Sequence, residues 1–593
     1  MNILHTIQAR FRTALTGLVP DPEPFVAMIK PTQDAKHGDY QANCAMSLAK
    51  TLGKKPRDVA QELVDRLDLS SLLEKPEIAG PGFINLRLQS GWLGQQARGI
   101  ANDERLGVAI ASPAKTYAID YSSPNVAKPL HVGHLRSTII GDALTRLLRF
   151  LGHIVITDNH LGDWGTQFGI LLYGYKNLLN KDAYAKEPVR ELARIYVEVR
   201  NRIAQAGGGD DEEEARHPIA DVCRAETAKL HHGDVENNQL WQEFMPHCLE
   251  EIHDVYTKLG ILKFNHEHGE SFYNPLLPGV VDSLLKSKVA EEGDGGAIII
   301  CISKDNVSLV RKRDGAFTYT TSDLATIQYR LEHFQPNAML YVVDFRQTQH
   351  FANLFEAAKR WGVTGVEMTH ISFGSVLGRE GKPISTRKGD GTELIDLINQ
   401  AVVRGLEKYE ASHAERTAAG HDVPELTDDA KSAIAETVGI GAIKYADLSQ
   451  NRTSDYKFDY DKMLATEGNT ATYMQYAYAR NRSIFRKADV DPATLRANPP
   501  SVTLDSPFER ALALQLLRLE EALLSAVAEY QPSAITAYLW DLAKAYSGFF
   551  QNCPVIQAEA DALKQSRLLL CDLTARILKQ CLGLLGINVV ERM

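Results

Sequence analysis

The stretch from residue 115 to 158 constrains the fold most. KTYAID (115–120) is a short β-prone run that ends in a Ser-Ser-Pro-Asn turn. LRSTIIGDALTRLLRFLG (135–152) then puts apolar residues at 135, 139, 140, 144, 147, 148 and 151, which is helical spacing, and HIVITD (153–158) is again strand-like. Strand, turn, helix, strand opens a parallel α/β sheet. The pattern returns at AMLYVVDF (338–345), QHFANLFEAAKRWG (349–362) and VEMTHISFG (366–374). These read as two βαβ halves of one sheet, split by an insertion at about 176–337 that contains the low-complexity run GGGDDEEEARH (207–217).

On either side the texture differs. Residues 1–112 read as a small α/β domain: KPRDVAQELVDRL (55–67) has helical spacing, IAGPGFINLRL (78–88) reads as a turn and a strand, and Ser112-Pro113 marks a boundary. The sheet domain is expected to span 113–455. Beyond Thr392, a good N-cap, the chain reads as helix almost to its end, with 456–593 an all-α domain and Pro499-Pro500 a linker. A chain of 593 residues holds about three or four domains of ordinary size.

Composition narrows the function classes. No apolar run approaches the ~20 residues that span a bilayer, and MNILHTIQARFRTALTG lacks the compact apolar stretch of a secretory signal. The seven cysteines are scattered without a C-x-x-C pair, which fits a reducing cytoplasm and argues against a zinc ribbon. Net charge is −10, mildly against a nucleic-acid partner, although the local field decides that question. Basic clusters exist at Arg311-Lys312-Arg313 and at Arg480, Arg482, Arg486 and Lys487, the latter interleaved with Tyr473, Tyr476, Tyr478 and Phe485.

The chemistry concentrates in NVAKPLHVGHLRS (125–137). His131 and His134 have no third ligand nearby, so zinc is not expected; taken alone, the pair could be surface or helix-capping histidines. They sit where the first strand gives way to a helix, outside the carboxyl end of a parallel strand, where ligands bind. A helix N-terminus there suits phosphate. Gly133 lets a flat group approach the backbone. Two imidazoles can then donate hydrogen bonds to phosphate oxygens, stabilising a transition state rather than transferring a proton.

DYSSPNVAKPLHVGHLRSTIIGD (120–142) resembles the first signature of the class I aminoacyl-tRNA synthetases, and specifically the bacterial arginyl type. NHLGDWGTQFG (159–169), TYTTSDLATIQYR (318–330), VGIGAIKYADLSQNRTSDYKFD (438–459), EGNTATYMQYAYAR (467–480), GINVVERM (586–593) and GPGFIN (80–85) are similar to the same family, over nearly the whole chain. The resemblance implies a Rossmann-type catalytic domain, an N-terminal domain for the tRNA D-arm and a helical anticodon-binding domain. The implied reaction joins arginine to ATP as arginyl-adenylate, then to tRNA-Arg. Mg²⁺ would accompany ATP, the enzyme would be monomeric, and arginine activation would require bound tRNA.

The resemblance also implies site residues. His131, Gly133, His134, Lys128 and Ser385 would hold ATP. Asp120, Asn125, Tyr319, Asp323 and Gln347 would hold arginine, with Asp323 on the guanidinium, whose planar fork of donors wants carboxylates. Family members carry K-M-S-K-S on a second signature loop, which is 381–391 here, GKPISTRKGDG. Pro383 and Thr386 stand in the two lysine places, so Lys128 is expected to compensate, with Arg387 and Lys388 adding charge. Phe83 and Asn85, and Tyr473, Tyr476, Arg480 and Met593, are the implied tRNA contacts. Taken alone, Asp120 and Asp323 could equally cap or pair in a core, and Tyr473 and Tyr476 could equally pack in one. Two rival readings stay open: a small-molecule nucleotidyl transferase, and a non-catalytic tRNA-binding paralogue.

Overall fold

The computed structural model describes residues 2–32, 34–206, 217–378, 380–382, 393–418 and 426–593. The N-terminal segment forms an antiparallel sheet of β1 (Ile29–Pro31), β2 (Tyr40–Ala42), β3 (Glu77–Ala79) and β4 (Phe83–Leu86), ordered β1-β2-β4-β3. Residues 78–88 hold more than the expected turn and strand. Positive φ at Gly80 and Gly82 reverses the chain within GPG, so Ile78–Ala79 pairs back onto Phe83–Ile84 as a hairpin. The expected helix is present as Pro56–Arg66, with proline in its first turn where no N–H is missed.

The middle of the chain is the anticipated parallel sheet. β5 (Thr116–Asp120) and β6 (Ile154–Asp158) are followed by β7 (Glu291–Glu292), β8 (Ile298–Ser303) and β9 (Asn306–Arg311), a separate antiparallel trio. β10 (Ala338–Tyr341) and β11 (Glu367–His370) complete the main sheet in the order β11-β10-β5-β6, every pair parallel. The register sets Asp120 directly beside Asp158 on β6 and Tyr341 on β10. The helices Val132–Phe150 and Thr348–Arg360 are the crossovers of the two halves. A third helix, Tyr319–Phe334, falls within the stretch read as insertion yet packs Leu324, Ala325 and Ile327 into the core with Met339 and Leu354.

The helical reading beyond Thr392, itself outside the described residues, needs one correction. Residues 456–457 form β13 (Tyr456–Lys457), which pairs in parallel with β12 (Val376–Leu377). The remainder is helical: Leu394–Ala418 and Asp428–Leu448, then Ala471–Ala488, Pro507–Leu517, Leu519–Ala528, Ser533–Asn552 and Asp561–Leu584. Pro499-Pro500 lies in a connection between helices.

The chain divides into two units. One is Ala111–Ala465 with Leu584–Ile587. The other joins Met1–Ile110 to Thr466–Gly583 and Asn588–Met593, so the N-terminal sheet and the C-terminal helices share a unit. None of the described helices is long and apolar enough to cross a membrane.

Candidate active site

The crossover helix starts at Val132, earlier than its apolar spacing alone indicates, because His131 caps it. The His131 Nδ1 accepts from the Gly133 N–H at 3.0 Å, and the His134 Nδ1 accepts from the His131 N–H at 3.1 Å. Two orphan N–H groups of the first turn are thereby satisfied reciprocally. The two rings lie 3.9 Å apart between centroids. Since each Nδ1 is an acceptor, each neutral ring carries its proton on Nε2, its one remaining donor. Both rings are held neutral. Burial, then His131 and Lys128, push His134 down to about 3, and burial, Lys128 and Arg346 lower His131. Gly133 leaves room for the capping ring. A Cβ on it would sit 2.8 Å from the His131 ring.

Arg136 stands one half-turn further along this helix and is buried. Its Nη1 donates to the carbonyls of Gly374 at 2.8 Å and Ser454 at 3.0 Å, and its Nε pairs with Asp447 at 3.0 Å. It therefore ties the histidine turn to the segments that carry β12 and β13. On the far side of residues 383–392, the Leu394 N–H donates to the Leu130 carbonyl at 2.8 Å, and Glu393 bridges to His131. Ser385, Arg387 and Lys388 lie outside the described residues.

Beside this turn, at the carboxyl ends of β5, β6 and β10, is an acid-rich region. Asp120 ends β5, and its carboxylate accepts from Arg330 Nη2 at 2.7 Å and from the Ser123 hydroxyl at 2.7 Å. Arg330 also donates from Nε to Asp158 at 2.9 Å. Pairing within the core thus describes where Asp120 sits, although a carboxylate has lone pairs to spare. Asn125 follows in the turn, its Oδ1 accepting from the Ala127 N–H at 3.2 Å. Tyr319 and Asp323 lie one turn apart on Tyr319–Phe334, as their spacing predicts. Tyr319 is 69% exposed, and Asp323 accepts from His350 Nε2 at 2.6 Å. Gln347 is exposed in a short 3₁₀ turn after β10.

One residue that sequence reasoning missed completes this group. Glu270 is half-buried within the electrostatic reach of Asp163 and Asp323, and burial together with these two carboxylates pushes it up to about 7. Burial, with the charges of Glu270 and Asp323, raises Tyr319. Glu270 starts the short helix Glu270–Tyr273, where no periodicity marks it. A carboxyl raised first by burial and then by neighbouring carboxylates marks a place where a cation would be favoured. His160, just after β6, adds a buried Nδ1 without a hydrogen-bond partner.

The implied tRNA contacts belong to the other unit. Phe83 is half-buried on β4; Asn85 is buried and accepts from Gln41 Nε2 at 2.7 Å. Tyr473 packs edge-on against Trp540 at 5.7 Å, while Arg480 lies 4.7 Å over the Tyr476 ring and 5.2 Å over Phe550. Met593 is half-buried.

Three family models match in order along the chain. The N-terminal domain of arginyl tRNA synthetase covers residues 5–88, the catalytic domain of class I tRNA synthetases (R) covers 97–460, and the DALR anticodon binding domain covers 474–593. The chain belongs to the arginyl-tRNA synthetase family. Arginine–tRNA ligases of Rhodopirellula baltica and Edwardsiella ictaluri are 43% and 41% identical to it, each aligned over 100% of both chains. The solved arginyl-tRNA synthetase of Plasmodium falciparum superposes with a TM-score of 0.82 at 28% identity, covering 100% of this chain and 99% of that one. That of Thermus thermophilus gives 0.80 at 25% identity, covering 99% and 100%.

Proposed function

We infer that the chain is an arginine–tRNA ligase. It activates L-arginine with ATP to arginyl-adenylate, releasing pyrophosphate, and passes the arginyl group to the 3′-terminal ribose of tRNA-Arg, releasing AMP. The observation that carries this reading is the full-length match, in domain order, to relatives of that activity at 41–43% identity.

The residue roles are ours. His131 and His134, neutral and donating from Nε2, bind phosphate oxygens of ATP at the helix N-terminus. Their contribution is fixed hydrogen-bond donation where charge develops. Lys128 supplies the positive charge that Pro383 and Thr386 withhold from the second signature, with Arg387, Lys388 and Ser385 contributing from that loop. Mg²⁺ arrives on the phosphates. Among the described residues no three His, Cys, Asp or Glu side chains converge to hold a metal, and Mg²⁺ commonly rides on phosphate oxygens with few protein ligands. Asp323 and Glu270 face the guanidinium, Tyr319 packs along it, and Asp120, Asn125 and Gln347 hold the α-amino and carboxylate end. Phe83, Asn85, Tyr473, Tyr476, Arg480 and Met593 contact tRNA. The protein works as a monomer, and its seven unpaired thiols suit the reducing cytoplasm.

Lys128→Ala will lower ATP–pyrophosphate exchange by about 10²-fold, as His134→Ala does, since each removes one preorganised phosphate contact. Affinity for tRNA, measured by filter binding, will stay nearly unchanged. Exchange at full rate with arginine and without tRNA would refute the requirement for bound tRNA.

Glu270 gives arginine binding a pH dependence. Its acid form, favoured below about 7, carries no charge for the guanidinium; its carboxylate, favoured above, does. His350, raised by its bond to Asp323, acts in the same direction, because losing its proton frees the Asp323 charge. The KM for arginine will therefore fall roughly tenfold between about pH 6 and pH 8, the change in ionised fraction of a group titrating at the midpoint. Glu270→Gln will raise KM and flatten this slope. An unaltered slope in that variant contradicts the assignment.

A further inference from the structure

The N-terminal sheet is held to the C-terminal helices by charged side chains, of which Asp39 is buried and the others half-buried. Asp39, immediately before β2, accepts from Arg510 Nη1 at 3.0 Å and Nη2 at 2.6 Å, and Arg510 also donates to the Leu88 carbonyl at 2.8 Å. Arg518 donates to the Asp39 carbonyl at 2.6 Å and lies 4.8 Å over the Tyr40 ring. Glu521 accepts from the Tyr40 hydroxyl at 2.8 Å and from the Leu4 N–H at 2.7 Å. Arg576 adds donors to the Ala101 and Asp103 carbonyls. All four side chains come from the helical domain, and every partner lies in the N-terminal one.

This clamp sits next to the residues read as D-arm contacts. β2 pairs with β4 so that Tyr40 opposes Leu86 and Gln41 opposes Asn85. On the helical side, Arg510 and Glu521 lie on Pro507–Leu517 and Leu519–Ala528, which pack on Ser533–Asn552. That last helix carries Trp540 and Phe550, the neighbours of Tyr473 and Arg480.

We propose that Arg510, with Arg518 and Glu521, positions the N-terminal sheet on the anticodon domain so that the two tRNA-contact patches engage one tRNA at a fixed separation. The inference rests on reading both patches as tRNA contacts. Fixing two weak sites on one frame raises the effective concentration of the second once the first is bound, and it avoids ordering the frame at the moment of binding. Arg510, Arg518 and Glu521 are thus positioning residues that touch no nucleotide.

Asp39→Asn/Arg510→Met removes the central pair without leaving a lone buried carboxylate. The full-length variant and parent are titrated with whole tRNA-Arg and with its isolated anticodon stem-loop, and amide exchange of Phe83–Leu86 is followed in both. The expected result is about tenfold or more lost affinity for whole tRNA, with stem-loop affinity and β4 protection unchanged. Unchanged affinity for whole tRNA overturns the proposal. So does a parallel loss for the stem-loop, or a loss of β4 protection, since either marks damage to one patch rather than to their separation. A parent protein that fails to bind the stem-loop overturns the underlying reading of the helical patch, and the proposal with it.

Discussion

Arg330→Met will destabilise the sheet unit by about 3–5 kcal/mol, the usual result of removing one partner from a buried ion pair. Two carboxylates, Asp120 and Asp158, end adjacent parallel strands in direct register, and both are buried. Side by side in a poorly solvated site they repel, and nothing else described there carries a full positive charge against both. Arg330, 1% exposed, donates to each and lies 5.4 Å from the Tyr341 ring. Its effect is visible on Asp158, which Arg330, joined by His268, brings down to about 2 although burial alone would raise it. A carboxylate depressed by folding stabilises above its unfolded range, near 4, and that stability is lost as pH falls toward 2. Urea unfolding followed near neutral pH and near pH 3 will therefore show the parent losing stability that Arg330→Met has already lost. Adding Asp158→Asn will help the variant by removing the repulsion, whereas in the parent it will do harm. Equal midpoints for parent and Arg330→Met would contradict this account of the strand ends.

Asp323→Asn will reduce kcat/KM for arginine by about 2–5 kcal/mol, roughly 30- to several-thousand-fold, because it removes one charge of the proposed Asp323–guanidinium pair. The loss will fall mostly on arginine binding. ATP-dependent exchange at saturating arginine will recover in part, since the histidine turn is untouched. Asparagine still reaches His350 but brings no charge. His350, raised by the Asp323 carboxylate, will titrate lower in the variant, which NMR of the ring protons can follow. Lysine offers one compact ammonium where the proposed pocket of two acids and a tyrosine suits a fork, so neither parent nor variant will activate it efficiently. A variant with unchanged KM for arginine removes Asp323 from the pocket.

What could be read in the sequence depended on the range of the forces involved. The strand–turn–helix–strand core was legible because period 2 and period 3.6 are local patterns. The histidine turn was legible as a motif at a strand end. Its tautomers were not, since they follow from reciprocal bonds made only when the helix closes. Arg330, Arg136 and Glu270 were invisible for a common reason. Arg136 meets Asp447 and Arg330 meets Asp120 across long sequence separations, and no periodicity announces such partners. Glu270 looked like any acid in a loop until Asp163 and Asp323 came near. Asp120 shows the limit from the other side: the resemblance implied a pocket acid, and in this structure the arginine it holds is the protein's own Arg330. The short β12–β13 pair was missed because two-residue strands have no pattern.

The most direct test of the central claim is aminoacylation of total tRNA with each of the twenty amino acids, supplied singly with ATP and Mg²⁺. An arginine–tRNA ligase charges with arginine and with no other. Charging with a different amino acid, or with none, would contradict the claim.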